Sequence, residues 1–225
     1  MGKRLSAIEK NVEEGRFYKL SEAASLVKKC ATAKFPETVE MHVRLGIDPK
    51  QSDQIIRASV ILPHGTGKTR RVGVVTKGEK MKEAQQAGAD VVGSTELVDE
   101  IAKGRMDFDV LVATPDVMKD LSKLGKVLGP RGLMPNPKSG TVTFDVAQAV
   151  RELKGGRVEF KNDDYGIVHL AIGKVSFEPA QIEANARVVL DLITKMKPAA
   201  AKGVYVKSIT LSSTMGPGIA VDTSY

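Results

Sequence analysis

Apolar residues follow two rhythms along this chain, and the change of rhythm divides it. Between residues 37 and 47 they fall on alternate positions, Val39, Met41, Val43, Leu45 and Ile47, with Thr38, Glu40, His42 and Arg44 between them. Successive side chains of a strand point to opposite faces, so this spacing predicts one strand with a buried and a solvated face. Asp48-Pro49 marks the turn after it, and Ile55 to Leu62 reads as a second strand. Two helices precede them. One runs from Arg4 to Glu14, ended by Gly15. The other opens at Ser21, a fair N-cap, and carries Ala23, Leu26, Val27 and Cys30 at helical spacing. The far end of the chain returns to the first rhythm. Arg157–Lys161 and Ile167–Ile172 are strand-like, Glu178–Lys197 is a long amphipathic helix, and Val204–Leu211 alternates again.

The centre reads differently. Short continuous apolar runs, Val72–Val75, Val91-Val92 and Val110–Ala113, alternate with helices at Glu79–Ala87, Glu96–Lys103 (capped by Thr95), Asp116–Leu128, and a last one opened by Asp145 and ending at Lys154. Strands without polar alternation, separated by helices, predict a parallel sheet covered on both faces. Residues 67–157 are therefore read as a domain inserted into another built from both chain ends, 1–66 and 158–225. Gly65 and Gly67 flank one crossing and Gly155-Gly156 the other. Glycine tolerates large backbone rotation, so these four either form a paired hinge or lie in ordinary turns.

Composition narrows the function. Hydrophobic residues make up 42% of the 225 and charged residues 27%, the balance of a globular chain. Lys plus Arg outnumber Asp plus Glu by 34 to 27, a net +7 that favours a polyanionic partner. Residues 1–34 carry eight Lys/Arg against four Glu, and residues 119–138 carry five against one Asp. Each concentration is either a solvated face or a phosphate-binding patch. The single cysteine, Cys30, allows no internal disulfide, suits a reducing, cytoplasmic compartment, and reads as a small core residue. No apolar run approaches the ~18 residues a membrane span needs. The first residues lack the apolar stretch of a secretory signal, so no membrane partner is expected. His42, His64 and His169 show no metal-ligand spacing.

Two enzyme motifs fail on inspection. Gly67-Lys68-Thr69 resembles the end of a phosphate-binding loop, but Leu62 stands where that loop needs glycine, and a strand follows where it needs a helix. The central α/β segment lacks the G-x-G-x-x-G turn that lets a backbone approach a pyrophosphate. No nucleophile–base pair or metal motif appears, so neither catalysis nor a cofactor is expected. Two other stretches carry chemistry. Residues 125–140 hold three prolines and four glycines and display Lys126, Arg131 and Lys138, for phosphate contact or as cover for a sheet edge. Leu211–Gly218 joins small hydroxyl residues to Met-Gly-Pro-Gly, either an ordinary hydroxyl turn or a close approach to RNA.

Five segments then point one way: ATAKFPETVE (31–40), LGIDP (45–49), LPHGTGK (62–68), GLMPNPKSGTV (132–142) and SSTMGPG (212–218). Together, and in this order, they resemble the bacterial L-one family of large-subunit ribosomal proteins. The resemblance implies an α+β and α/β protein of two domains: a discontinuous α+β sandwich containing both termini, and an inserted Rossmann-like three-layer α/β domain. It implies a monomer when free, cytoplasmic and on the ribosome, that binds the stalk region of large-subunit rRNA through the first domain. It further implies a part in release of deacylated tRNA from the exit site, and repression of translation from the protein's own operon mRNA. Carried onto this sequence, it makes Lys34, Phe35, Thr38, Glu40, Ser208, Thr214, Met215 and Gly216 the expected RNA contacts, with Lys161, Asn162 and His169 matching less distinctive stretches. Lys34 suits a phosphate, Phe35 and Met215 apolar contact, and the hydroxyls and Glu40 suit ribose 2′-OH groups or base edges. None of this matches an aromatic stacking platform, so a folded RNA surface is the expected target. A nucleotide-dependent enzyme and a general DNA-compacting protein are the alternatives.

Overall fold

The computed structural model describes residues 3–13 and 15–223. In chain order its elements are α1 (Lys3–Glu9), α2 (Leu20–Cys30), β1 (Thr38–Leu45), β2 (Arg57–Ile61), β3 (Val72–Val75), α3 (Lys80–Gln86), β4 (Val91–Gly93), α4 (Thr95–Ala102), β5 (Val110–Ala113), α5 (Met118–Ser122), α6 (Gly125–Leu128), α7 (Val146–Lys154), β6 (Arg157–Lys161), β7 (Ile167–Lys174), α8 (Pro179–Lys195), β8 (Val206–Ser213) and β9 (Ile219–Val221). Helices and strands are mixed throughout, and the chain divides into two compact units, Met1–Gly67 with Val158–Tyr225, and Lys68–Arg157.

The first unit is built on an antiparallel sheet of order β7-β1-β8-β9, with β2 and β6 paired separately. Val39, Met41, Val43 and Leu45 of β1 point inward with Val168, Leu170 and Ile172 of β7 and Ile209 and Leu211 of β8. Their cover is the apolar stripes of α2 (Ala23, Ala24, Val27) and α8 (Ile182, Ala186, Val189, Leu190, Ile193). A helix stripe packed on an alternating strand face buries both periodicities at once, which is why both segments read clearly from sequence. Pro179 and a reciprocal capping box between Glu178 and Gln181 start α8. Cys30 is buried among apolar neighbours, and that burial pushes its thiol up.

The second unit is a three-stranded parallel sheet of order β4-β3-β5, with an apolar core on each side. Val72, Val74 and Val112 face α3 and α7 through Ala84, Val146 and Val150. Val75, Leu111 and Ala113 face α4 and α5 through Leu97, Ile101 and Leu121. These make three layers, helix, sheet, helix. Gly73 belongs to the second face because the Phe108 ring lies where its Cβ would stand. Asp145 caps α7, its Oδ1 accepting from Gln148 N–H at 3.0 Å.

Several local expectations are corrected. The first helix stops at Glu9, well short of residue 14, which lies outside the described residues. Ser21 lies inside α2, with Lys19 at the N-cap, and Thr95 lies inside α4, with Ser94 at the cap; neither helix has a side-chain cap. The single helix expected over 116–128 is broken into a 3₁₀ turn, Pro115–Val117, and two short helices. The ladder gives way to i→i+3 closures at Lys123 and Leu124, beside Ser122, whose hydroxyl bonds the Met118 carbonyl, and just before Gly125, a poor helix former. The last long strand starts at Val206, not Val204, because the β1–β8 register slips between Arg44 and Leu45. That bulge leaves Lys207 exposed although Ile209 and Leu211, two and four residues on, are buried. Of the four crossing glycines, Gly65, Gly67 and Gly156 have φ of 66°, 70° and 104°, whereas Gly155 is the right-handed C-cap of α7 and uses none of glycine's freedom.

Candidate nucleic-acid interface

The outward face of the four-stranded sheet is polar across β1 and β8 and at His169 of β7. Cross-strand register places Glu40 opposite Ser212 and Ala171, His42 opposite Thr210 and His169, and Arg44 opposite Ser208 and Ile167. Paired residues of an antiparallel ladder share a face, so Glu40, His42, Arg44, Ser208, Thr210, Ser212 and His169 form one surface. All seven are half-buried or exposed. Ser208 sits beside Arg44 at one end of β8, and Ser212 lies near the other.

At that second end the expected contacts Lys34–Glu40 meet Thr214–Gly216. The start of β1 lies against the end of β8, and Thr214 closes the seam. Its Oγ1 accepts from Thr38 N–H at 3.0 Å, and its own N–H donates to the Thr38 carbonyl at 3.1 Å. Behind them stands Glu37, only 2% exposed. Its carboxylate accepts from Ala33 N–H at 2.9 Å, Ser213 Oγ at 2.8 Å and Met215 N–H at 2.9 Å. Burial pushes this carboxyl up, but the three hydrogen bonds, together with the nearby charge of Arg4, outweigh it and hold the group below the ordinary carboxylate range. Arg4 adds its own tie, donating to the Met215 carbonyl at 2.7 Å and to Thr32 Oγ1 at 3.0 Å. Lys174 Nζ donates to Thr38 Oγ1 at 2.9 Å.

This network sorts the expected contacts. Lys34, Phe35, Thr214 and Met215 are exposed beside one another, Phe35 and Met215 each at 50%, and both apolar side chains stand in solvent. A Cβ at Gly216 would run into Ser213 Oγ, so a side chain there would displace the hydroxyl that bonds Glu37. Thr38, expected to point outward with Glu40, is instead buried with its hydroxyl engaged by Lys174. The Thr214 hydroxyl is likewise engaged, by the Thr38 backbone. Both threonines shape the surface more than they offer free hydroxyls to it. Asn162 is internal. It is 5% exposed, its Oδ1 accepts from Ile56 N–H at 2.8 Å, and its Nδ2 donates to the Asp163 carbonyl at 2.9 Å, so its amide holds the β6 end to the chain entering β2. Lys161 is exposed, and His169 lies on the polar face.

Residues 27–217 match the model of the ribosomal protein L1p/L10e family. The chain belongs to that family. It is a ribosomal protein, a structural constituent of the large subunit that binds rRNA. The match spans both units, every residue of the polar face, and every member of the Glu37 network except Arg4, which precedes it.

Reading the sequence missed Glu37, Arg4, Lys174 and the Thr210–Ser212 pair. Only the last left a signal: Ser208, Thr210 and Ser212 recur at period two opposite the apolar residues of β8. The loop at 125–140 lies in the second unit, where Lys126 and Arg131 are exposed; the Lys138 side chain is outside the described residues. What closes the loop is a hydroxyl knot. Ser139 and Thr141 are both buried, with their hydroxyls 3.1 Å apart and each within reach of the Asn136 carbonyl, so one hydroxyl donates to the other and the second donates to that carbonyl. Among the described residues no group of three or more His, Cys, Asp or Glu is placed to hold a metal, and no helix is long and apolar enough to cross a membrane.

Proposed function

We propose that the polar sheet face of the first unit, ending in the 34–38 and 213–216 segments, is the surface that holds the stalk region of large-subunit rRNA. The observation that carries this reading is the Glu37-centred network, which joins two segments about 180 residues apart into one fixed, solvent-facing edge. Lys34 neutralises a phosphate there, Phe35 and Met215 press on sugars or bases, and the Gly216 backbone admits close approach. Glu40 and Ser208 hydrogen-bond 2′-OH groups or base edges. Thr38 and Thr214 act by fixing the edge. A surface organised this rigidly suits a folded RNA rather than a flexible strand.

Two finer roles are proposed with it. The same face takes a similarly folded element of the protein's own operon mRNA, which would repress its translation, and on the ribosome the protein assists release of deacylated tRNA from the exit site. The experiment is a titration with the rRNA stalk fragment, a scrambled hairpin of equal length and the operon leader, at several salt concentrations. Preference for the first and third that survives moderate salt supports the reading. Equal binding to all three that vanishes steeply with salt would mean that diffuse charge acts alone. For the tRNA role, ribosomes lacking the protein should release deacylated tRNA more slowly; an unchanged rate removes it.

A further inference from the structure

Across the middle of the polar face runs a chain of four side chains. Asp163 Oδ2 lies 3.3 Å from His169 Nε2, His169 Nδ1 lies 2.8 Å from His42 Nδ1, and His42 Nε2 lies 3.1 Å from Ser212 Oγ. The imidazoles meet edge to face, with centroids 5.0 Å apart.

Donor and acceptor rules fix the protons along this chain. Asp163 is an acceptor only: its other oxygen takes the Tyr165 and Ile167 N–H groups at 2.9 and 2.7 Å, and these bonds, against the opposing effect of burial, hold the carboxyl below its ordinary range. His169 Nε2 therefore carries hydrogen. With both rings neutral, His169 Nδ1 accepts, His42 Nδ1 donates to it, and the Ser212 hydroxyl donates to His42 Nε2. Every position is satisfied without a net charge on either ring. One further proton fits: it binds His42 Nε2, the Ser212 hydroxyl turns to accept from it, and the shared hydrogen can move across the Nδ1–Nδ1 bond to place the charge beside Asp163. A second would put hydrogens on both Nδ1 atoms, which stand too close to keep them.

His42 is held below the ordinary histidine value, first by burial and then by any positive charge on His169, with Glu40 opposing, so a charge on His42 is disfavoured in the free protein. The charged groups on this face are Glu40 and Arg44 of β1, Lys174 of β7 and Asp163; the facing β8 residues Ser208, Thr210 and Ser212 and the β9 residue Ala220 carry none. A polyanion laid over the face adds negative potential and reverses that preference.

Resting on the rRNA reading above, we propose that the His42–His169 pair takes up one proton from solvent when RNA binds, so that the face gains a positive charge only in the complex. Affinity should then rise as pH falls, by at most about tenfold per pH unit for a single proton.

Calorimetric titration of the full chain with the rRNA stalk fragment, in two buffers of different ionisation heat at mildly acidic pH, counts the protons. Uptake approaching one, and lost in His42→Gln and His169→Gln, is the expected result. Tight binding with equal heats in both buffers overturns the proposal and leaves the rRNA reading standing, as does uptake that persists in folded variants. Should either variant fail to fold, NMR titration of the two imidazoles in wild-type protein decides. Their midpoint must move up on RNA binding, and an unmoved midpoint overturns the proposal. No binding at any pH would overturn the rRNA reading itself, and this inference with it.

Discussion

The Glu37 carboxylate accepts a 2.8 Å hydrogen bond from the Ser213 hydroxyl, across 176 residues of sequence, in a site closed to solvent. A buried carboxylate is costly unless its lone pairs are filled, and here main-chain and hydroxyl donors fill them. The charge at Glu37 thus serves to hold the beginning of β1 against the end of β8.

Glu37→Gln tests this. The amide keeps one acceptor for Ala33 N–H but turns an NH₂ toward Met215 N–H, leaving donor against donor. The expected loss of unfolding free energy is about 1–3 kcal/mol in urea denaturation near neutral pH. The pH dependence has a definite sign. Because the folded-state value is depressed, the Glu37 contribution is complete above the ordinary carboxylate value. It falls away as pH drops from there through the lowered folded value. Wild type and Glu37→Gln should therefore converge in stability across that acidic window. A constant difference would mean that the carboxylate charge plays no part.

Thr214 separates a contact from a support. Thr214→Val leaves Thr38 N–H without its 3.0 Å acceptor and should cost about 1–3 kcal/mol of stability. RNA affinity should fall with it, since the 214–216 segment loses its anchor. Thr214→Ser keeps the oxygen and should restore both quantities nearly to wild type. Serine restoring stability but not affinity would show that the Thr214 methyl group touches RNA directly.

How much of this was legible depended on how local each signal was. β3, β5, β6 and α7 match their expected bounds to the residue, because the short apolar runs of β3 and β5, the alternation of Val158 and Phe160 in β6, and the Asp145 cap all act within a few positions. The parallel sheet of the second unit followed from the runs, whereas the α+β sandwich of the first came from the resemblance. Ser21 and Thr95 misled because a hydroxyl near a helix start looks alike whether it caps or lies one turn position inside. Glu37 was illegible for a different reason. An acidic residue before a strand normally faces water, and two of the partners that hold this one inside, Ser213 and Met215, are distant in sequence. Asn162 is the opposite case, a polar residue between two exposed-looking segments whose amide turns out to be internal.

Gly67 offers a backbone test. Its φ of 70° is strained for any side chain, and a Cβ would stand 2.8 Å from Lys174 Cγ and 3.1 Å from the Phe177 ring. Gly67→Ala should destabilise the first unit by at least about 1–2 kcal/mol. Thermal unfolding with probes in each unit would show the effect in the first unit's transition. An unshifted transition would mean that the turn relaxes freely.

The last contrast sets Lys34 against Asn162, both drawn from the same resemblance and placed very differently by the fold. Lys34 is exposed at the proposed edge, so Lys34→Ala should weaken binding to the rRNA fragment and lower the slope of log affinity against log salt by about one, the signature of one lost phosphate contact. Fold stability should hardly change. Asn162→Ala removes a buried amide with both ends bonded, so it should cost about 1–3 kcal/mol of stability and leave the salt slope as it was. Measuring affinity and unfolding on the same two variants separates the roles. An Asn162 variant that folds normally but shows a reduced slope would return that residue to the interface, and an unchanged slope for Lys34→Ala would move the phosphate contact elsewhere on the edge.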